Sequence, residues 1–139
     1  MNYLIDTNVV SEWMKPTADH RVIHWLAEAE EDRLHLSVAT IAEIRFGIEA
    51  LPGGRRRQSL TAWLAHDLVE RFDSRILGLD QSIAHCWGVM KGRARQLGRC
   101  LGDMNGWIAA TAQVHHLTLV TRNLKNFANL GVELLDPTA

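Results

Sequence analysis

Six polar side chains in this sequence share one chemistry: Asp6, Glu43, Asp103, Asn105, Thr121 and Asn123. Carboxylate, amide and hydroxyl oxygens are the ligands preferred by hard cations such as Mg2+ and Mn2+, which complete an octahedral shell with water. A cation so held acidifies water and neutralises charge on a phosphoryl group under attack. Bare carboxylates would instead repel a phosphodiester. Each residue also has a structural reading. Asp6-Thr7-Asn8 can form an Asx turn that caps a helix. Glu43 can be the reciprocal partner of Thr40 in a capping box, although Phe46, Gly47 and Ala50 share its helix side and suggest small or apolar neighbours. Asn105 is a good N-cap by residue type, and Asp103 can be a loop acid that complements a helix dipole.

The elements that must position these residues can be read from pattern and punctuation. Tyr3–Ile5 is an apolar strand ending at Asp6. A short helix from Val9 to Met14 is stopped by Pro16, and a second runs from His20 to Glu30. Leu34–Val38 reads as the second strand. Thr40-Ile-Ala-Glu43 opens a helix whose stripe of Ile41, Ile44, Ile48 and Leu51 ends at Pro52-Gly53-Gly54. A helix from Gln58 to Phe72 precedes the strand Arg75–Leu79, and Asp80 caps a long helix to about Leu97. Beyond the Gly98–Gly102 loop, Asn105 caps a helix over Gly106–His115, followed by strands at Leu117–Thr121 and Val132–Leu135.

Strands that alternate with helices imply parallel crossovers, hence an α/β fold: a three-layer α/β/α sandwich around a mainly parallel sheet of four to five strands. In such sheets ligands bind beyond the carboxyl ends of the strands. That rule draws the six polar residues to one rim. A chain of 139 residues fits one domain over 1–139 and can bury roughly two-thirds of its unfolded surface.

Other chemistries find little support. There is no GxGxxG or Walker loop, no GxSxG elbow and no cysteine–histidine signature. His20 and His24 stand at i, i+4 without a third ligand, and Cys86 and Cys100 lack CxxC spacing and read as reduced thiols. The five tryptophans lie on separate helices and read as packing anchors. The N-terminus has no basic n-region and no run approaches the ~18 apolar residues of a membrane span, so the sequence points to a cytoplasmic protein with no membrane partner. The net charge of −1 exerts no global pull on nucleic acid. Locally, however, Arg55, Arg56 and Arg57 are consecutive, and Lys91, Arg93, Arg95 and Arg99 occupy a stretch without acids. These runs are either solvated helix faces or contacts for backbone phosphates.

Four segments in order carry a family likeness. Tyr3-Leu-Ile-Asp-Thr-Asn-Val-Val-Ser-Glu12, Ala42-Glu-Ile-Arg-Phe-Gly47, Gly106-Trp-Ile-Ala-Ala-Thr-Ala112 and Leu119-Val-Thr-Arg-Asn123, with Phe127 following, resemble the PIN-domain ribonucleases, above all the toxins of VapBC- and FitAB-type toxin–antitoxin pairs. The likeness runs from Asn2 to about Pro137. It implies an endoribonuclease dependent on Mg2+ or Mn2+ that cuts RNA by metal-activated water and is restrained by a cognate antitoxin. It further implies a homodimer that joins a toxin–antitoxin hetero-oligomer and meets DNA only through the antitoxin. Asp6 and Glu43 match the family's metal-binding acids, Asn123 stands where the family carries a fourth Asp or Asn, and Thr121 occupies a neighbouring polar position. One position departs: Asn105 stands where the family normally has aspartate. Three readings follow: relocation of the ligand to Asp103, a weakened module that binds RNA or antitoxin without efficient cleavage, or a substitution introduced to silence a toxic protein.

Overall fold

Leu4 and Ile5 are both fully buried although adjacent side chains of a strand point to opposite faces, so β1 (Tyr3–Ile5) is covered on both sides. The computed structural model describes residues 1–139. Leu4 belongs to an apolar cluster with Leu119, Ile83, Ile108 and Phe127, and Ile5 to another with Val120, Leu34, Leu36, Ile44 and Phe72. These two apolar cores give the helix–sheet–helix layering.

All strand pairings are parallel. β1 lies between β2 (Leu34–Ser37) and β4 (Thr118–Val120), with β3 (Ile76–Leu77) outside β2 and β5 (Leu134–Leu135) outside β4. The order β3-β2-β1-β4-β5 therefore changes direction at β1, the switch point beside which such sheets open a crevice. Tyr3 pairs with Thr118 and Ile5 with Val120, so β1 and β4 end level with each other.

The helices are α1 (Thr7–Val10), continued by a 3-10 turn to Met14, α2 (His20–Glu28), α3 (Val38–Glu49), α4 (Arg55–Ala62), α5 (Val69–Phe72), α6 (Gln81–Gln96), α7 (Asp103–Val114) and α8 (Leu124–Phe127). None is long and apolar enough to cross a membrane. Several expected boundaries move, each for a visible reason. The Ser37 hydroxyl accepts from the Ala39 N–H at 3.0 Å, so α3 starts at Val38 and Thr40 lies buried inside it, not at its cap. Gly54 takes a positive φ of 149° that favours glycine, and α4 begins at once, which puts Arg55–Arg57 in its first turn. A π turn over Trp63–Leu68 joins α4 to α5. The Arg75 guanidinium donates to the Leu34 carbonyl at 2.7 Å, and the strand expected from Arg75 to Leu79 shrinks to Ile76–Leu77. α7 starts at Asp103 after Gly102, so Asn105 is the third residue of the helix and not its cap. Asp80 does cap α6, accepting from the Ile83 N–H at 2.9 Å. α8 has no counterpart in the sequence reading; it buries Phe127.

Candidate metal centre

Asp6 prolongs the β1–β4 ladder: its N–H donates to the Val120 carbonyl at 2.9 Å, which fixes its side chain at the carboxyl rim. Oδ1 accepts from the Thr7 N–H at 2.8 Å and Oδ2 from the Thr121 hydroxyl at 2.8 Å. The residue is only 4% exposed. Burial pushes its carboxyl above the ordinary 3.8, the Thr121 and Thr7 hydrogen bonds pull back, and the nearby Glu43 charge pushes up again. Asp6 thus caps α1, as the Asx-turn reading expected, and is at the same time a buried acid at a strand end.

Glu43 reaches the same place from α3. Its Oε1 accepts from the Thr7 hydroxyl at 2.6 Å, and the Thr7 and Thr40 hydroxyl oxygens lie 3.1 Å apart. Thr7 has one hydroxyl proton, spent on Glu43, so Thr40 must be the donor between the two threonines. The capping box is absent because Ser37 holds the cap, which frees Glu43 for the rim. Its expected apolar screen is absent too: Gly47 and Ala50 are exposed and Phe46 is 77% exposed.

Thr121 uses its full hydrogen-bonding capacity. It donates to Asp6 and accepts from the Asn8 side-chain amide at 3.3 Å and from the Asn123 N–H at 3.0 Å. The Asn123 side chain is exposed and makes no hydrogen bond within the protein. Since α7 runs down to β4, its N-terminal turn lies at the carboxyl end of the sheet, and α7 packs against α3. Asn105 in that turn is half-buried and its side chain bonds to no protein group. Asp103 is committed elsewhere: its carboxylate pairs with Lys91 and its side chain is 72% exposed. No group of three histidine, cysteine, aspartate or glutamate side chains comes together anywhere in the chain, so Asp103 does not join Asp6 and Glu43.

The start of α7 is held by aromatic packing. The rings of Trp87 and Trp107 stack at 4.7 Å, and the Trp87 N–H donates to the Asp103 carbonyl at 3.1 Å. A β-carbon on Gly106 would fall 2.9 Å from Trp87 Nε1, so only glycine lets the indole lie over the turn that carries Asn105.

Of the basic runs, Arg57 pairs with Glu49, Lys91 with Asp103, and Arg56 donates to the Met14 carbonyl at 3.2 Å. Arg55, Arg93 and Arg95 are exposed and make no ion pair. A cavity of about 890 Å3 lies apart from Asp6 and Glu43, between α6, the end of α7 and the segment before β5. Sequence reasoning gave Thr7, Asn8 and Thr40 only capping roles, gave Arg122 no role of its own at the strand end, and passed over Glu12. Adjacency to Asp6 and Thr121 was a signal for Thr7 and Arg122; nothing in the sequence marked Glu12 as buried.

An acid pair at the switch point of a parallel sheet, each carboxylate held by a threonine hydroxyl, defines a candidate divalent-cation centre for phosphodiester chemistry. The PIN domain family matches residues 3–133. The chain is 32% identical to VapC ribonuclease Y4jK of Sinorhizobium fredii and 34% identical to Toxin FitB of Neisseria gonorrhoeae, in each case over 96% of both chains. It superposes on the solved structure of FitAB bound to an IR36 DNA fragment with a TM-score of 0.92 at 31% identity, over 99% of this chain and 96% of that one. The FitAcB structure from Neisseria gonorrhoeae gives a TM-score of 0.91 at 33% identity, over 97% of both chains. The chain belongs to the PIN-domain family, among its VapBC/FitAB-type toxins.

Proposed function

We propose that this chain is a single-domain cytoplasmic endoribonuclease toxin that uses Mg2+ or Mn2+ to cut RNA phosphodiesters and is silenced by a cognate antitoxin. The observation that carries the reading is the Asp6–Thr121 and Glu43–Thr7 pairing at the rim, found in a chain whose relatives are named as ribonucleases and toxins. The donor set fits a hard cation, which needs only one or two carboxylates and fills its remaining positions with water and neutral oxygens. Asp6 and Glu43 would hold the ion, with the Asn105 amide oxygen and Asn123 as neutral supplements. When bound, the ion supplies Lewis-acid neutralisation of the phosphodiester and a more acidic water. The chain's own part is to fix the two acids. Thr121 and the Thr7 backbone hold Asp6, and the Thr7 hydroxyl holds Glu43, so neither carboxylate must be reorganised when substrate arrives.

The FitAB structure is bound to a DNA fragment. This chain is expected to meet DNA through its antitoxin in the same way and, as the family resemblance implies, to pair as a homodimer, which light scattering distinguishes from a monomer. Arg55, Arg93 and Arg95 are exposed, carry no ion pair and are available to backbone phosphates. Arg55, Arg56, Arg57, Lys91, Arg93 and Arg95 together make up the basic surface.

A second reading rests on Asn105. With two acids instead of three, the chain binds RNA or antitoxin but turns over slowly. Incubation of the pure chain with structured RNA separates the two: cleavage with Mn2+ that EDTA abolishes supports the nuclease, and binding without cleavage supports the weakened module. EDTA-insensitive cleavage contradicts the metal mechanism. Neutralising Arg55, Arg93 and Arg95 together is expected to flatten the salt dependence of RNA binding and leave Mn2+ affinity unchanged. An unchanged salt slope identifies them as plain surface.

A further inference from the structure

Besides Asp6, Glu12 is the only acid buried almost completely, at 2% exposure, and the metal centre makes no use of it. Three groups converge on it. Oε1 accepts from the Asp19 N–H at 2.8 Å, Oε2 accepts from Arg122 Nη2 at 2.8 Å, and Lys15 pairs with the same carboxylate. Burial acts to raise its pKa, but Lys15, the Asp19 N–H and Arg122 outweigh burial and hold the acid below its ordinary value.

Arg122 is the informative partner, because it immediately follows Thr121. Its Nη2 also donates to the Asn8 carbonyl at 2.7 Å, and its backbone N–H donates to Asn8 Oδ1 at 3.3 Å. The Asn8 amide nitrogen in turn donates to the Thr121 hydroxyl, which donates to Asp6. An unbroken chain of contacts therefore leads from Glu12 to a carboxylate of the candidate centre. β4 ends at Val120, and the Thr121 N–H makes the last ladder bond, to the Leu135 carbonyl at 3.0 Å, so the turn through Arg122 and Asn123 beyond it is set by side-chain contacts.

We propose that the buried Glu12–Arg122 pair is a positioning bracket, clamping the turn after β4 onto α1 so that the Thr121 hydroxyl stays on Asp6 and the acid stays aimed at a divalent cation. The bracket rests on the metal-dependent reading of the Asp6–Glu43 centre. Outer partners of this kind alter metal affinity by about 10–100-fold when removed. A part that merely holds the fold together would alter only the melting temperature.

The test is calorimetric titration of Mn2+ into the full chain and three variants. Thr121→Val deletes the hydroxyl that donates to Asp6, and with it the acceptor for the Asn8 amide and the Asn123 N–H. Arg122→Met removes the bracket, and Arg122→Lys keeps the charge against Glu12 but gives up the guanidinium fork. Arg122→Met and Thr121→Val are each expected to weaken Mn2+ binding by about tenfold or more, with Arg122→Lys between them and the native chain. The double variant is expected to lose no more than the worse single one, because both act through the same hydroxyl. If Arg122→Met does not fold, Arg122→Lys in the native and Thr121→Val backgrounds carries the same comparison. Native-like Mn2+ affinity in a folded Arg122 variant, or additive losses in the double, overturns the bracket. Failure of the native chain to bind Mn2+ overturns the metal-dependent reading itself, before the bracket is tested.

Discussion

Asp6→Asn is expected to abolish Mn2+ binding and lower RNA cleavage at least about a hundredfold while the chain still folds, because it removes one of the two charges from which the centre is built. The substitution keeps the shape of the side chain. The amide oxygen can still accept from the Thr7 N–H, so the cap on α1 survives. What disappears is an anion with 4% exposure next to Glu43. In metal-free solution the folded chain holds the Asp6 proton more tightly than an unfolded chain does, since its value lies above 3.8. Below 3.8 both states are protonated and the residue costs nothing. As pH rises through the folded value, the buried charge forms and stability falls. Melting temperature in EDTA should therefore decline through that window in the native chain and decline less in Asp6→Asn, with the difference closing at lower pH. A divalent ion should restore the native chain and not the variant. Identical pH profiles would show that the Asp6 charge carries no folding penalty.

Asn105→Asp is expected to change function in the opposite direction, raising both Mn2+ affinity and RNA cleavage by about tenfold or more. An amide oxygen can coordinate a cation but brings no charge, whereas a carboxylate adds a third anion to the rim. The position suits an acid, since residue 105 is third in α7 and the positive end of a helix favours negative charge by about 0.3–1 kcal/mol. The packing of Trp87 and Trp107 against this turn does not involve the residue 105 side chain, so the substitution should leave it in place. Asp103→Ala provides the control. Its carboxylate is paired with Lys91 and stands outside the acid pair, so its loss should leave Mn2+ affinity unchanged. If Asn105→Asp has no effect while Asp103→Ala abolishes binding, the third ligand is Asp103 and the Lys91 pair opens when metal arrives.

The fold was legible wherever pattern and burial coincide. Tyr3–Ile5 reads as a doubly covered strand because its apolar run is unbroken, and alternation of strands with helices implies the parallel sheet. Asp80 was recognisable as a cap because a good cap residue stands directly before a helical stripe. Thr40 and Asn105 misled by the same logic. Both are good cap residues by type, but Ser37 and Gly102 lie three residues upstream of each and the helix starts there first. At the centre, Asp6 stood out by its place at a strand end, whereas the position of Glu43 fitted a capping box equally well and only the resemblance to the PIN-domain ribonucleases favoured it as a ligand. The threonines that hold them could not be chosen, because a Thr7 hydroxyl on a carboxylate 36 residues away depends on how α1 and α3 pack. Glu12 was hidden for the same reason: an acid at the end of a short helix reads as solvated until the guanidinium of Arg122, 110 residues later, is seen to cover it.

The most direct test of the centre is a parallel calorimetric titration of Mn2+ into the native chain and into Asp6→Asn, with each shown to be folded by circular dichroism. One saturable site in the native chain and none in the variant is the predicted result. Equal binding by the two would place the metal elsewhere and contradict the assignment of Asp6 and Glu43.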